Sequence, residues 1–216
     1  MAMEELIYTL LKEKKTGELI EKIKSKEVPA SFTDAKGVSL LLLSLYFRNK
    51  ELKEFLLGYL PSFTLYEAAA AGKLEEVKSA IADNPMLLDS FSPDGFTPLG
   101  LASYFGQIGV ATYLLEKGAD ANIPSANTFQ VAPLHSAVSS KRYDIAKLLL
   151  KYKANVNAVQ QNDVTPLHSA AHYGDIEMIR LLLTWGADPK SKTDDGSTPY
   201  DMASKVNATK AIDLLS

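Results

Sequence analysis

The feature that most restricts this chain is a four-residue phrase that returns at a nearly fixed interval. Thr97-Pro98-Leu99-Gly100, Ala132-Pro133-Leu134-His135, Thr165-Pro166-Leu167-His168 and Thr198-Pro199-Tyr200-Asp201 begin 35, 33 and 33 residues apart. One such tetrapeptide carries little information. Four in register mean a stack of like units, each burying its apolar face on its neighbours. The register runs on past the phrase. Ser136-Ala137 and Ser169-Ala170 extend two copies, and Gly106 and Gly174 each lie nine residues after their Thr. Leu114-Leu115, Leu148-Leu149-Leu150 and Leu181-Leu182-Leu183 fall at matching places, and Gly118-Ala119-Asp120 and Gly186-Ala187-Asp188 close their units.

Each residue type has a physical reason to stand where it does. A Thr hydroxyl accepts a backbone N–H and caps the helix that follows. Pro takes the first helical position, where its missing N–H costs nothing. The small Ala lets neighbouring helices approach closely. Gly106 and Gly174 suit a helix end that turns left-handed. Asp94-Gly95 and Asp195-Gly196 signal tight turns.

A turn and two antiparallel helices at this period, opening on Thr-Pro-Leu-His, resemble the ankyrin repeat. The resemblance is clear over 92–216 and weaker back to about 64. It implies an all-α ankyrin-repeat solenoid of about seven helix-turn-helix units with short β-hairpin fingers. Leu65 to Gly72 followed by Lys73-Leu74-Glu75-Glu76-Val77 repeats the two-helix pattern without the phrase, and Gly37-Val38-Ser39-Leu40-Leu41 echoes Gly95 to Leu99. Leu6, Ile7, Leu10, Leu11 and then Leu19, Ile20, Ile23 keep helical spacing on either side of Thr16-Gly17. Unit starts at 39 and 63 are only 24 apart, so a finger is missing between them. No Gly-, Pro- or Ser-rich linker divides the chain. We expect one domain over 1–216: degenerate N-terminal capping repeats over 1–63, core repeats over 64–197 and a C-terminal cap over 198–216.

Composition narrows the chemistry. The 216 residues are 46% hydrophobic and 23% charged, with net charge −3, which gives no general pull toward nucleic acid or anionic membrane. The absence of cysteine excludes disulfides, thiolate zinc sites and thiol nucleophiles, and fits a reducing compartment. Acidic residues at Glu4-Glu5 argue against a secretory signal. The apolar run Val38 to Phe47 is ten residues, against the ~20 a membrane helix needs, and reads as a buried helix.

Groups suggestive of catalysis have plainer readings. The resemblance makes His135 and His168 helix-entry groups, hydrogen-bonded within and between units. Their 33-residue spacing permits a shared zinc, but no third ligand stands at metal-type spacing. His168 and His172 are four apart, yet Ser169 stands where a metalloprotease helix has its glutamate. Glu75-Glu76 and Asp194-Asp195 read as solvated faces, since catalytic carboxylates need a partly desolvated cleft. Lys12, Lys14, Lys15, Lys22, Lys24 and Lys26 alternate with Glu13, Glu18, Glu21 and Glu27, the pattern of a salt-bridged helix surface.

The resemblance also selects recurrent surface positions on the concave side, formed by fingers and first helices. Before the phrase stand Phe96, Val131, Val164 and Ser197. At the helix ends stand Tyr46-Phe47, Ala70-Ala71, Tyr104-Phe105, Ser139-Ser140 and His172-Tyr173. Phe129 lies in one finger and Gln161 and Asn162 in the next; the finger Pro124 to Val131 is two residues longer than its neighbours and is expected to project. Lys141 and Lys153 replace the closing glycines of the 132–158 unit, and Gly100 replaces the motif His. Contiguous exposed aromatics mark binding sites, and Tyr is enriched among hot spots. We therefore expect Phe96, Tyr104, Phe105, Phe129, Val131, Gln161, Asn162, Val164, His172 and Tyr173 to contact a partner protein, with Tyr104 and Tyr173 foremost. The competing reading of Phe96, Phe105 and Phe129 is packing between fingers. The expected function is a non-catalytic, monomeric, cytoplasmic protein-binding module with no catalytic residue, cofactor or metal, no nucleic acid and no membrane contact. The alternatives are a hydrolytic or metal-dependent enzyme using the groove, or a nucleic-acid-binding protein.

Overall fold

The computed structural model describes residues 2–216. Met1, which opens the acidic N-terminal stretch, lies outside the described residues. Fourteen α-helices among the described residues form seven consecutive antiparallel pairs. These are α1 (Met3–Lys12) with α2 (Thr16–Lys24), α3 (Leu40–Tyr46) with α4 (Lys50–Tyr59), and α5 (Leu65–Ala71) with α6 (Leu74–Asp83). Then follow α7 (Pro98–Phe105) with α8 (Ile108–Glu116), and α9 (Pro133–Ser139) with α10 (Tyr143–Lys151). The last are α11 (Pro166–His172) with α12 (Ile176–Thr184), and α13 (Pro199–Lys205) with α14 (Thr209–Leu215).

The first helices stack in one row, α3 on α5 and onward to α13, and the second helices α6 to α14 stack in another. Helix α2 packs on α4 and so joins the first pair to the stack. Sequence explains the tight spacing. Ala69, Ala102, Ala137, Ala170 and Ala203 occupy one place in five successive units, and all are wholly buried. Leu114, Leu149 and Leu182 repeat on the second helices, likewise wholly buried. Each such leucine stabilises by roughly 1.5–3 kcal/mol relative to exposure. A second, leucine-rich core at the N-terminal end joins Ile7, Leu19, Leu40, Leu41, Leu52 and Leu56, and reaches Ala70 and Leu101.

Thr97, Thr165 and Thr198 cap their helices through Oγ1, as expected. Ser39 and Thr64 cap α3 and α5 in the degenerate units. Ala132 gives α9 no side-chain cap. The fingers are turns closed by pairs of backbone bonds, such as Ser92 N–H to the Phe96 carbonyl and Gly95 N–H to the Ser92 carbonyl, both at 2.8 Å, and Thr193 N–H to the Ser197 carbonyl at 3.0 Å with Gly196 N–H to the Thr193 carbonyl at 2.8 Å. Among the described residues, isolated bridges of Thr33 with Ser39 and Gln160 with Val164 stand in place of hairpin strands. Fingers are tied to one another by Ala126 N–H to Gly95 O (2.8 Å), Gln161 N–H to Phe129 O (2.9 Å) and Asp194 N–H to Asn162 O (3.2 Å).

Between α4 and α5 the chain passes without a finger. The finger row closes over that omission: a Cβ on Gly37 would lie 2.9 Å from the Pro93 side chain, and Gly37 has φ +81°. The finger before α3, which carries Gly37, therefore rests directly on the finger before α7, which carries Pro93.

Candidate functional site

The first helices all end on the same side of the stack. Helix α7 stops at Gly106, whose φ of +81° is left-handed, and α11 runs out through Tyr173 to Gly174 at +58°. Helix α9 ends without glycine, yet Lys141 takes the same left-handed backbone at +57°. A non-glycine residue there costs about 1–2 kcal/mol.

These ends place Tyr46, Tyr104 and Phe105 together. The Tyr46 ring centroid lies 6.2 Å from Tyr104 and 5.2 Å from Phe105, and Tyr104 meets Phe105 edge-on at 5.0 Å. The contact reaches across α5 because Ala70 and Ala71 carry no bulk at the intervening helix end. The Tyr46 hydroxyl donates to Asp94 Oδ2 at 2.6 Å. Burial, and then the Asp94 carboxylate, push the Tyr46 pKa well above the usual phenol value. Two units on, His172 and Tyr173 form a second aromatic post, edge to face at 5.5 Å. Between the posts the end of α9 places no ring, only the small Ser139 and Ser140 ahead of Lys141 and Arg142. An open groove of about 1020 Å³ results, lined by Tyr46, Tyr104, Phe105, both serines and Tyr173, together with Arg48, Lys53, Gln107, Lys141 and Arg142.

Two of these cations lie against neighbouring residues. Lys141 Nζ lies 5.6 Å from the Tyr173 ring centroid. Arg142 packs on Gly106, where a Cβ would fall 2.7 Å from its Nε. Gln107 does the same for the preceding unit, donating from Nε2 to the Ala70 carbonyl at 2.9 Å.

Of the ten expected contact residues, the structure brings Tyr104, Phe105 and Tyr173 to the groove, with the exposed His172 beside them. The others sit on the finger row. Phe129 is 59% exposed on the long finger, Val131 and Val164 are half-buried, and Gln161 and Asn162 are exposed in a turn where Asn162 is left-handed. Phe96 and Phe105 also pack against the N-terminal core, so packing claims part of each ring. Phe96 further covers Gly100, whose added Cβ would lie 3.8 Å from the ring. The sequence reading missed the cationic members Arg48, Lys53 and Arg142, and treated Lys141 only as a replaced glycine. The usable signal was position: Gln107 and Arg142, each directly after a left-handed helix end, lean on the unit before, whereas Asp175 at the same place caps α12.

The histidines of the repeated phrase face inward, away from this groove. His168 Nε2–H donates to the Ser197 carbonyl at 3.1 Å, and its Nδ1 accepts from the Thr165 N–H at 3.2 Å and hydroxyl at 2.8 Å. His135 Nε2–H donates to the Val164 carbonyl at 3.1 Å, but its buried Nδ1 has no partner, since Ala132 has no hydroxyl. Burial drives the His135 pKa down to about 4 and lowers that of His168. Asp195 is held down at about 2 by hydrogen bonds from Thr193 and Ser197 within its own turn. The N-terminal lysines pair locally, Lys15 with Glu13, Lys22 with Glu27 and Lys24 with Glu21. Among the described residues no three His, Asp or Glu side chains gather as a metal cluster. Nor is any described helix long and apolar enough to cross a membrane.

Known proteins place the chain. The profile of ankyrin repeats in three copies matches residues 47–125, 65–160 and 134–216. The chain is similar to the human transient receptor potential cation channel subfamily A member 1, 32% identical over 49% of this chain and 9% of that protein. It is similar to the human DNA-binding protein RFXANK, 39% identical over 30% of this chain and 25% of that protein. A putative ankyrin repeat protein of fowlpox virus, FPV024, is 30% identical over 39% of this chain and 14% of its own length. The chain thus spans a quarter or less of each of these relatives. The repeated phrase, the stacked helix pairs and the profile match across three overlapping spans agree: this chain belongs to the ankyrin-repeat family.

Proposed function

We propose that this chain is a non-catalytic module that seats a partner protein on the concave face made by its fingers and first helices. Ankyrin repeats are in general protein–protein interaction modules. The observation that supports this site is the convergence of helix-end aromatics on one open groove, with Tyr173 left 46% exposed. A stack of wholly buried alanines and leucines holds that groove rigid. Docking on a rigid surface loses little conformational entropy, and the rings supply large contact area at low rotamer cost. On this reading the long finger carrying Phe129 and Val131 flanks the bound partner, and Gln161, Asn162 and Val164 extend the contact along the finger row. The module acts as a cytoplasmic monomer without cofactor.

The test is affinity capture from the native cell followed by mass spectrometry, with a Tyr104→Ala, Tyr173→Ala double variant as control. Both rings are at least partly exposed, so the variant keeps its fold by circular dichroism. Partners captured by the wild type and lost by the variant support the reading. An unchanged set of partners refutes the site.

A further inference from the structure

We propose that the groove between the two aromatic posts takes an extended peptide segment rich in aspartate and glutamate, anchored by an aromatic or large apolar side chain. The inference rests on the protein-binding reading above and adds the chemistry of the partner. Every charged side chain that lines the groove is a cation: Arg48, Lys53, Lys141 and Arg142. The whole chain carries net charge −3, so this excess is local. Some lysines elsewhere do find carboxylates, as Lys78 finds Glu75 at 2.7 Å. In the groove Lys53 meets Glu54 at 2.8 Å, but Arg48, Lys141 and Arg142 have no carboxylate within 4.0 Å among the described residues. Their charges are offered to whatever enters.

The cations are also arranged for use. Arg142 reaches back to Gly106 of the preceding unit, where a Cβ would fall 2.7 Å from its Nε and 2.8 Å from its Cζ, which puts a fork able to take a carboxylate at the groove wall. Lys141 is set against the Tyr173 ring. Two inter-unit steps of roughly 8–10 Å separate the post at Tyr104 from the post at Tyr173. An extended segment of about five or six residues covers that span at ~3.3–3.6 Å each. The aromatic posts then receive an anchor side chain at either end, while Ser139 and Ser140 leave the middle open for backbone. A nucleic-acid strand fits less well. It carries a phosphate at every nucleotide along its whole length, and the finger row beside the groove presents Asp94, Asp194 and Asp195.

The test pans the intact protein against a phage library of random peptides about twelve residues long, which exceeds the groove's span when extended. Recovered peptides are then synthesised with a fluorophore and titrated. Peptides enriched in Asp and Glu around an aromatic residue are expected. Their affinity falls as salt rises from roughly 0.01 M to 1 M, where the screening length contracts from about 30 Å to about 3 Å. Lys141→Glu with Arg142→Glu weakens them at least about tenfold, because like charges now face each other across the contact. Both residues are exposed, and a matching thermal melt shows the fold is kept. Recovery of no peptide, or of peptides without acidic bias, overturns the proposal. So does binding that survives the double charge reversal, or a labelled single-stranded oligonucleotide that binds more tightly than the peptides. Neutral peptides that depend on Tyr104 and Tyr173 would end the acidic assignment but leave the groove as the partner site. Native partners that ignore both tyrosines would end the site itself.

Discussion

Replacing Ala132 with threonine should stabilise this protein, and the size of the gain can be worked from the unit that follows. At α11, Thr165 accepts the His168 N–H through Oγ1 and offers its own hydroxyl and N–H to His168 Nδ1. At α9 both features are absent: the helix has no side-chain cap, and His135 Nδ1 is buried without a partner. The backbone is ready for the change. Ala132 has φ −71° and ψ 157°, against −74° and 158° at Thr97, which does cap its helix. A restored cap contributes about 1 kcal/mol. Giving the orphaned ring nitrogen a donor contributes about 1 kcal/mol more. For a chain of this size the total of about 2 kcal/mol raises the melting temperature by roughly 4–8 °C. The assay is thermal and urea denaturation of the wild type, Ala132→Thr and Ala132→Val, which matches threonine in shape without the hydroxyl. Repeating Ala132→Thr in a His135→Ala background should forfeit the share that runs through the ring, giving a coupling on the order of 1 kcal/mol. A threonine variant no more stable than the valine variant would refute the reasoning, for the hydroxyl would then have found no partner.

Three further outcomes follow from the same structure. His135 has its pKa lowered to about 4 from the ordinary 6.5, so the unfolded chain takes up its proton first as pH falls. Stability is therefore full above about pH 6.5 and declines toward pH 4, by about 3 kcal/mol from this group; urea midpoints across that window check it, and His135→Gln should flatten the slope. Lys153 sits at φ +64°, so Lys153→Gly should raise stability by about 0.5–1 kcal/mol in the same denaturation assay, the relief of left-handed strain exceeding the entropy glycine adds to the unfolded chain. Ala137 is wholly buried between first helices, so Ala137→Leu should cost about 1–3 kcal/mol by forcing neighbouring units apart, read as a lower melting temperature.

The parts of this fold that were legible in the sequence are those a single unit specifies. The Thr97, Thr165 and Thr198 caps, the left-handed Gly106 and Gly174, and the inward alanines each follow from the local chemistry of one helix end. A period of about 33 residues then multiplies that local answer along the chain. The left-handed Lys141 and Lys153 were legible for the same reason, since register alone put them where glycine belongs. The missing finger between α4 and α5 was countable from the 24-residue interval. Its consequence, Gly37 closing on Pro93, was not, because it depends on two elements far apart in sequence.

The groove shows where such reading stops. Tyr104 and Tyr173 recur at one place in the unit, so register pointed to them. Arg142 recurs nowhere: its counterparts are Gln107, which reaches back to the Ala70 carbonyl, and Asp175, which caps α12. What places Arg142 in the site is the absence of a side chain on Gly106 in the unit before it. Likewise Tyr46 reaches Tyr104 only because Ala70 and Ala71 leave the helix end between them bare. Both relations are defined by residues too small to signal anything by themselves. In a solenoid the repeated residues build the frame. The irregular ones, read against what their neighbours lack, give this face its charge, and the groove's selectivity should therefore change when the charges of Lys141 and Arg142 are reversed.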